Sequence, residues 1–218
     1  MKRREALRVM AAAPVGAFGQ GQPDQQKIWD DVYGAADPIY NRYPNRFLAE
    51  IAEKVKPGRA LDIGMGQGRN AVYLASLGWN VTGVDISEKG IEAAKATAQR
   101  RKLKIQAIQA DFTAFDLGKS QWDLISEIYM QGIIIGRAAQ IAESLKPDGL
   151  LVVEGFHRDM NQKGITGQAL GIEGHQLLTA FAPHLRITRY EEVRDFGDWT
   201  RSGLKVPLVR MVAVRRSA

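Results

Sequence analysis

Residues Leu61-Asp62-Ile63-Gly64-Met65-Gly66-Gln67-Gly68-Arg69-Asn70 decide the fold. A short apolar run, residues 59–63, reads as a strand. It passes through three glycines into a helical stretch, residues 70–77, that stops at Gly78. Glycine lets backbone take positive φ and lie against a ligand, and the helix start behind it favours a negative group. The spacing is G-x-G-x-G. A dinucleotide loop, G-x-G-x-x-G, needs glycine where Arg69 stands, and no G-K-[ST] follows, so neither that fingerprint nor a P-loop is present. Asp62 stands two residues before the first glycine. A carboxylate there suits an ammonium group and opposes a pyrophosphate.

Working outward, residues 79–85 form the next strand and end on Asp85, 23 residues past Asp62. A carboxylate at that strand end accepts both hydroxyls of a ribose, with Ile86 beside the base. Ser87 reads as the N-cap of a helix running to about residue 101. A third strand, 103–109, leads into Ala110-Asp111-Phe112. Asp111 is positioned to accept an exocyclic amine of adenine, and Phe112 to support the ring. Asp62, Gly64, Met65, Gly66, Gly68, Asn70, Asp85, Ile86, Asp111 and Phe112 thus describe one ligand: a free amino-acid head, an intact ribose and an adenine. S-adenosylmethionine fits that description, with S-adenosylhomocysteine as the product.

Further strands are expected at 122–128 and 150–156, separated by a helix over 136–145 and a Lys146-Pro147-Asp148-Gly149 turn. Another amphipathic helix is expected over 45–55. The alternation predicts βαβ units and a mostly parallel, doubly wound, Rossmann-like sheet covered on both faces. Gly164, Gly167, Gly171 and Gly174 break 158–174 into a loop or broken helix. A short helix follows at 175–181. Residues 185–193 and 204–214 read as an antiparallel pair that closes a seven-stranded sheet, with Pro207 implying a ragged start or partial edge position for the last strand.

The run LDIGMGQGRNAVYLASLGWNVTGVDIS resembles the class I S-adenosylmethionine-dependent methyltransferases, in particular the small bacterial branch that includes the tellurite-resistance methyltransferases. The resemblance covers about residues 28–156. Met65 departs from the cysteine common in that family. Backbone does the binding at that position, so little is expected to change. The resemblance implies methyl transfer from S-adenosylmethionine.

Such a transfer is an in-line displacement in which the enzyme mainly orients its reactants. An anionic, soft acceptor (a thiol or a chalcogen oxyanion) needs no general base, whereas a neutral hydroxyl or amine benefits from one. Ligands of open α/β sheets lie beyond the carboxyl ends of the strands. There Glu127 and Tyr129 are candidates for contact with the methionine part or the acceptor, and His157 is the candidate base. Tyr40, Tyr43 and His157 are candidate substrate-lid residues. Trp29 and Tyr33 belong to the same aromatic N-terminal segment, whose ring faces attract a sulfonium. A nicotinamide-dependent oxidoreductase and a non-catalytic S-adenosylmethionine binder are the alternatives.

The 218 residues suffice for one domain with its own core. The absence of Cys excludes disulfides, thiolate metal sites and a covalent thiol mechanism such as cytosine-C5 methylation. No metal is expected. The strand-four end, Ser126-Glu127-Ile128-Tyr129, lacks the Asn/Asp-Pro-Pro-aromatic motif of DNA amino-methylation, so a small-molecule acceptor is expected and a nucleic acid is not. Half of the formal charge of +6 comes from residues 1–22, so the remainder of the chain carries only a small basic excess. No apolar run reaches the ~18 residues that span a bilayer, and a monomer or homodimer is expected.

The opening MKRREALRVMAAAPVGAFGQGQ, with Arg3-Arg4 and an Ala-rich stretch, resembles a twin-arginine export signal. The donor is made in the cytosol, which favours a cytoplasmic enzyme, with export as the alternative. The expected organisation is a signal-like or unstructured segment over 1–24 and a single domain over 25–218. That domain divides into a lid and helix (25–58), a cofactor core (59–156) and a substrate-side loop with closing strands (157–218).

Overall fold

The computed structural model describes residues 24–35, 41–163, 171–198 and 205–216. The twin-arginine stretch and Tyr40 lie outside the described residues. The elements are α1 Gln25–Tyr33, α2 Arg46–Ala52, β1 Arg59–Ile63, α3 Arg69–Ser76, β2 Asn80–Asp85, α4 Glu88–Arg100, β3 Gln106–Gln109, β4 Trp122–Ile128, α5 Ala138–Ser144, β5 Leu145–Phe156, α6 Gln176–Phe181, β6 Arg186–Phe196 and β7 Lys205–Val214. The seven strands form one sheet in the order β3-β2-β1-β4-β5-β7-β6. The first five run parallel. β7 lies antiparallel between β5 and β6. The expected doubly wound α/β sheet with its antiparallel closing pair is therefore the observed fold.

Two apolar layers flank the sheet. One gathers Phe47, Leu48, Leu74, Ile91 and Ala94 from α2, α3 and α4 against Leu124 and Val152. The other gathers Ile141, Leu177 and Phe181 from α5 and α6 against Ile63, Ile125 and Val209. Burying each large aliphatic or aromatic side chain contributes ~1.5–3 kcal/mol. Side chains alternate along each strand, so β1 sends Leu61 and Ile63 into the α5–α6 layer and turns Asp62 toward α2 and α3.

Local signals place most boundaries. Asn45 caps α2 by accepting from the Leu48 N–H at 2.9 Å. Ser87 caps α4 by accepting from the Gly90 N–H at 3.0 Å. The expected 146–149 turn survives as an irregularity inside a longer β5. Trp122 pairs with Leu145 and Leu124 with Leu150, and Asp148 takes φ 62°. β6 also outruns its expected length, ending at Phe196, whereas β7 keeps close to the expected bounds. Pro207 is not on an edge strand, because β7 has neighbours on both sides. It is tolerated because it stands one residue beyond the β5 ladder, which closes at Phe156↔Leu208. Its carbonyl still accepts from the His157 N–H at 3.0 Å.

Candidate active site

The glycine loop links β1 to α3, with Gly64, Gly66 and Gly68 at φ 67°, 51° and 78°. Three left-handed residues within five are affordable only to glycine. The N–H groups of Gly64 and Met65 donate to the Val84 carbonyl at 2.8 and 3.1 Å, which ties the loop to the end of β2. Met65 itself is buried, with its side chain against Gly83 and Gly68, so it serves packing.

Asp62 is fully buried. Its Oδ1 accepts from Ser126 Oγ at 2.7 Å, and its Oδ2 has no hydrogen-bond partner. Burial pushes its carboxyl up to about 6, while Ser126 and the Arg69 charge pull it down. Asp85 is likewise raised to about 6 by burial. Its oxygens already serve the protein: Oδ2 accepts from the Gly66 N–H and Oδ1 from the Ser87 N–H, both at 2.8 Å. A carboxylate has about four acceptor positions, so Asp85 can fix the glycine loop and still accept from a ribose hydroxyl. Ile86 is half-buried beside it.

The cleft over this loop is lined by Tyr33, Gly64, Met65, Gly66, Gln67, Arg69, Asn70 and Ile128, with a volume of about 30 Å³. That holds water, not an adenosyl amino acid. Two side chains lie against the glycine loop. A Cβ on Gly64 would overlap Met130 Sδ, and one on Gly66 would overlap the Tyr33 hydroxyl. Tyr33 ends α1, stacked on Trp29 with ring centroids 5.8 Å apart. Asp30 seats α1 on α4 by accepting from Ser87 Oγ at 2.6 Å and from the Lys89 N–H at 3.1 Å.

On the same face of the sheet lies a buried polar network that the sequence alone does not announce. Arg210 on β7 donates through Nε to Glu154 Oε2 at 2.6 Å and through Nη2 to Asp195 at 3.0 Å. Asn45 Nδ2 donates to Glu154 Oε1 at 2.6 Å and to Asp198 Oδ2 at 2.7 Å. The Asn45 N–H donates to Asn70 Oδ1 at 2.9 Å. Arg69 Nη1 reaches the same Asp198 Oδ2 at 2.8 Å. These residues come from five separate parts of the chain, and the signal that could have found them is only the face alternation of β5 and β7.

The remaining expected site residues divide. Asp111 is exposed and caps a short 3-10 turn, accepting from the Thr113 N–H and hydroxyl at 2.8 Å each. Phe112 is buried in the core, one ring face under Arg137 at 4.9 Å. Glu127 follows Ser126 on β4 and so points to the face opposite Asp62. It is fully buried, accepts from the Gly132 N–H at 3.1 Å and keeps Oε2 unpartnered. Burial raises it to about 8.

Tyr129 joins the polar network. Its hydroxyl accepts from the Asp198 N–H at 3.2 Å, and burial beside Glu154 and Asp198 holds the phenol well above its usual range. His157 belongs to a different cluster, on the face of α6. Its Nδ1 accepts from the Asp159 N–H at 3.1 Å, and its Nε2 lies 3.5 Å from Glu192. Tyr43 stands exposed with its carbonyl bonded to Arg69.

The orphaned Asp62 oxygen, the glycine cradle and the spare acceptor positions of Asp85 fit an adenosyl amino acid once Tyr33 and Met130 swing aside. Asp62 and the loop would hold its head, and Asp85 its sugar. Residues 60–149 match the methyltransferase domain family. The chain is 28% identical over 99 residues to a Haemophilus influenzae protein named "Probable S-adenosyl-L-methionine-dependent methyltransferase TehB", a match covering 45% of this chain and 35% of that one. It therefore spans about a third of that relative's length. It is 25% identical over 181 residues to the ubiquinone biosynthesis O-methyltransferase of Shewanella pealeana, covering 78% of this chain and 75% of that one. The TehB crystal structure from Haemophilus influenzae superposes with a TM-score of 0.64 at 18% identity, over 88% of this chain and 67% of that one. On family match, motif and fold together, residues 60–149 match a methyltransferase domain, and the chain resembles the class I S-adenosylmethionine-dependent methyltransferases, TehB among them.

Proposed function

We propose that the protein transfers the methyl group of S-adenosylmethionine to a small, soft nucleophile, a thiol or chalcogen oxyanion, in the cytoplasm. The donor supplies an electrophilic sulfonium methyl when bound. The observation that carries the reading is Asp62, buried with one oxygen unpartnered two residues before a positive-φ glycine loop. That is a partner for an ammonium and a poor neighbour for a pyrophosphate, which also disfavours a nicotinamide cofactor.

The choice of acceptor follows from the absence of a poised base among the candidates. Glu127 is neutral below about pH 8 and faces the other side of the sheet. The Tyr129 phenol keeps its proton. His157 accepts from the Asp159 N–H on Nδ1, keeps Nε2 unbonded 3.5 Å from Glu192, and lies on the opposite face of the sheet from Asp62. A site so equipped orients and desolvates an acceptor that arrives as an anion. The test is release of S-adenosylhomocysteine by purified protein over a panel of thiols, selenite, tellurite, phenols and amines. Turnover with thiols or chalcogen oxyanions is expected. Turnover confined to phenols or amines would overturn the acceptor class, and no release with any would overturn the methyltransferase reading.

A further inference from the structure

Five buried side-chain atoms have no hydrogen-bond partner among the described residues: Asp62 Oδ2, Gln67 Oε1, Trp79 Nε1, Glu127 Oε2 and His157 Nε2. Of these five residues, Gln67 alone lines the cleft. Trp79 stands beyond the far end of α3, just before β2, and Glu127 and His157 lie on the other face of the sheet. Gln67 sits between Gly66 and Gly68, whose φ angles are 51° and 78°. The residue is half-buried, yet its carbonyl oxygen is sealed from solvent. Leaving an amide oxygen buried without a donor is unfavourable, and folded chains rarely do so. Gln67 borders the opening over the glycine loop, within side-chain reach of a ligand seated there.

The parts of an adenosyl amino acid differ in the partners they lack. Ribose hydroxyls have Asp85, which keeps acceptor capacity beyond its bonds to the Gly66 and Ser87 amides. The amino-acid head is short of acceptors. Its ammonium carries three N–H donors, whereas Asp62 has one unpartnered oxygen, because Oδ1 already accepts from Ser126. The head also carries a carboxylate, which takes donors. A primary carboxamide presents an acceptor and two donors on one side chain. We infer that Gln67 is a binding residue for the amino-acid head: Oε1 accepts from the ammonium that Asp62 also holds, and Nε2 donates to the carboxylate. The inference rests on the reading of Asp62 as partner of the ligand's amino group. Gln67 then selects ligands that keep the zwitterionic head over those that present only ribose and base.

The experiment is calorimetric titration of the full chain with S-adenosylhomocysteine and with methylthioadenosine, which keeps the adenine and ribose but lacks the amino-acid head. Wild type, Gln67→Met and Gln67→Ala are compared, with thermal unfolding of each in the absence of ligand. Methionine keeps the length of the side chain and removes both polar atoms. Each variant should bind S-adenosylhomocysteine at least about tenfold more weakly, the size of a lost hydrogen bond to a charged group, and methylthioadenosine within about twofold of the wild type. Gln67→Met should melt no lower than the wild type, because Oε1 has no partner to lose in the free protein. Unchanged affinity for S-adenosylhomocysteine in either variant overturns the inference. So does an equal loss for the two ligands, or a Met variant that melts several degrees lower, since Gln67 would then serve the fold. Failure of the wild type to bind S-adenosylhomocysteine instead fails the assignment of the cleft itself, and the inference with it.

Discussion

Glu127→Gln should stabilise the protein, and by an amount that depends on pH. Glu127 is fully buried, accepts one bond from the Gly132 N–H and has nothing on Oε2. Burial raises its carboxyl from 4.5 to about 8. Its folded value lies above its unfolded one, so its contribution to stability is full below pH 4.5 and is lost as pH rises toward 8. At about 1.4 kcal/mol per unit, the loss is ~3 kcal/mol at pH 7 and approaches ~5 kcal/mol above pH 8. Glutamine keeps the acceptor for Gly132 and leaves the same position unpartnered as the neutral acid does, so that term cancels. The variant and wild type should melt together near pH 4.5. At pH 7 they should separate by roughly 6–12 °C, at 2–4 °C per kcal/mol for a chain this size, and the gap should widen to pH 9. Scanning calorimetry at pH 5, 7 and 9 measures it. Parallel curves, with a gap that ignores pH, would refute the reasoning by showing that Glu127 ionises freely.

Three further outcomes are expected. Asp85→Ala removes the proposed ribose acceptor and frees the Gly66 and Ser87 amides, so binding of S-adenosylhomocysteine should weaken by about 1–3 kcal/mol; an unchanged dissociation constant removes Asp85 from the site. Arg210→Met leaves Glu154 buried and uncompensated, which should cost about 3–5 kcal/mol in urea unfolding, and adding Glu154→Gln should return most of that loss; a single variant as stable as the wild type would mean that water reaches Glu154. His157→Ala should leave kcat/KM for an identified acceptor within about threefold, against the ~100-fold loss expected on removing a general base.

Much of the cofactor half is legible in sequence because its chemistry is local. Strand, glycines and helix start lie within ten residues, and Asp62 and Asp85 are marked by standing at the ends of apolar runs. Phe112 shows where locality misleads: an aromatic beside a loop aspartate reads as a ligand platform, but its ring fills the core under Arg137. The buried polar network escapes for a different reason. Glu154, Asp195 and Arg210 meet only because β7 enters between β5 and β6 in a register that aligns Glu154 with Arg210. Nothing within any one segment encodes that pairing. Glu127 and His157 sit at suitable strand ends, but the parity of the strand turns them to the opposite face from Asp62, and parity is fixed only once the register is known.

Under the proposed function, the seating of Tyr33 and Met130 on the glycine loop has a kinetic consequence for ligand capture. A newcomer cannot simply diffuse onto bare backbone. It waits for a ring to leave its stack on Trp29 and for a thioether to swing out. Association should therefore be slower than an open groove would allow and should saturate at high ligand concentration, with the plateau reporting how often these two residues vacate the floor.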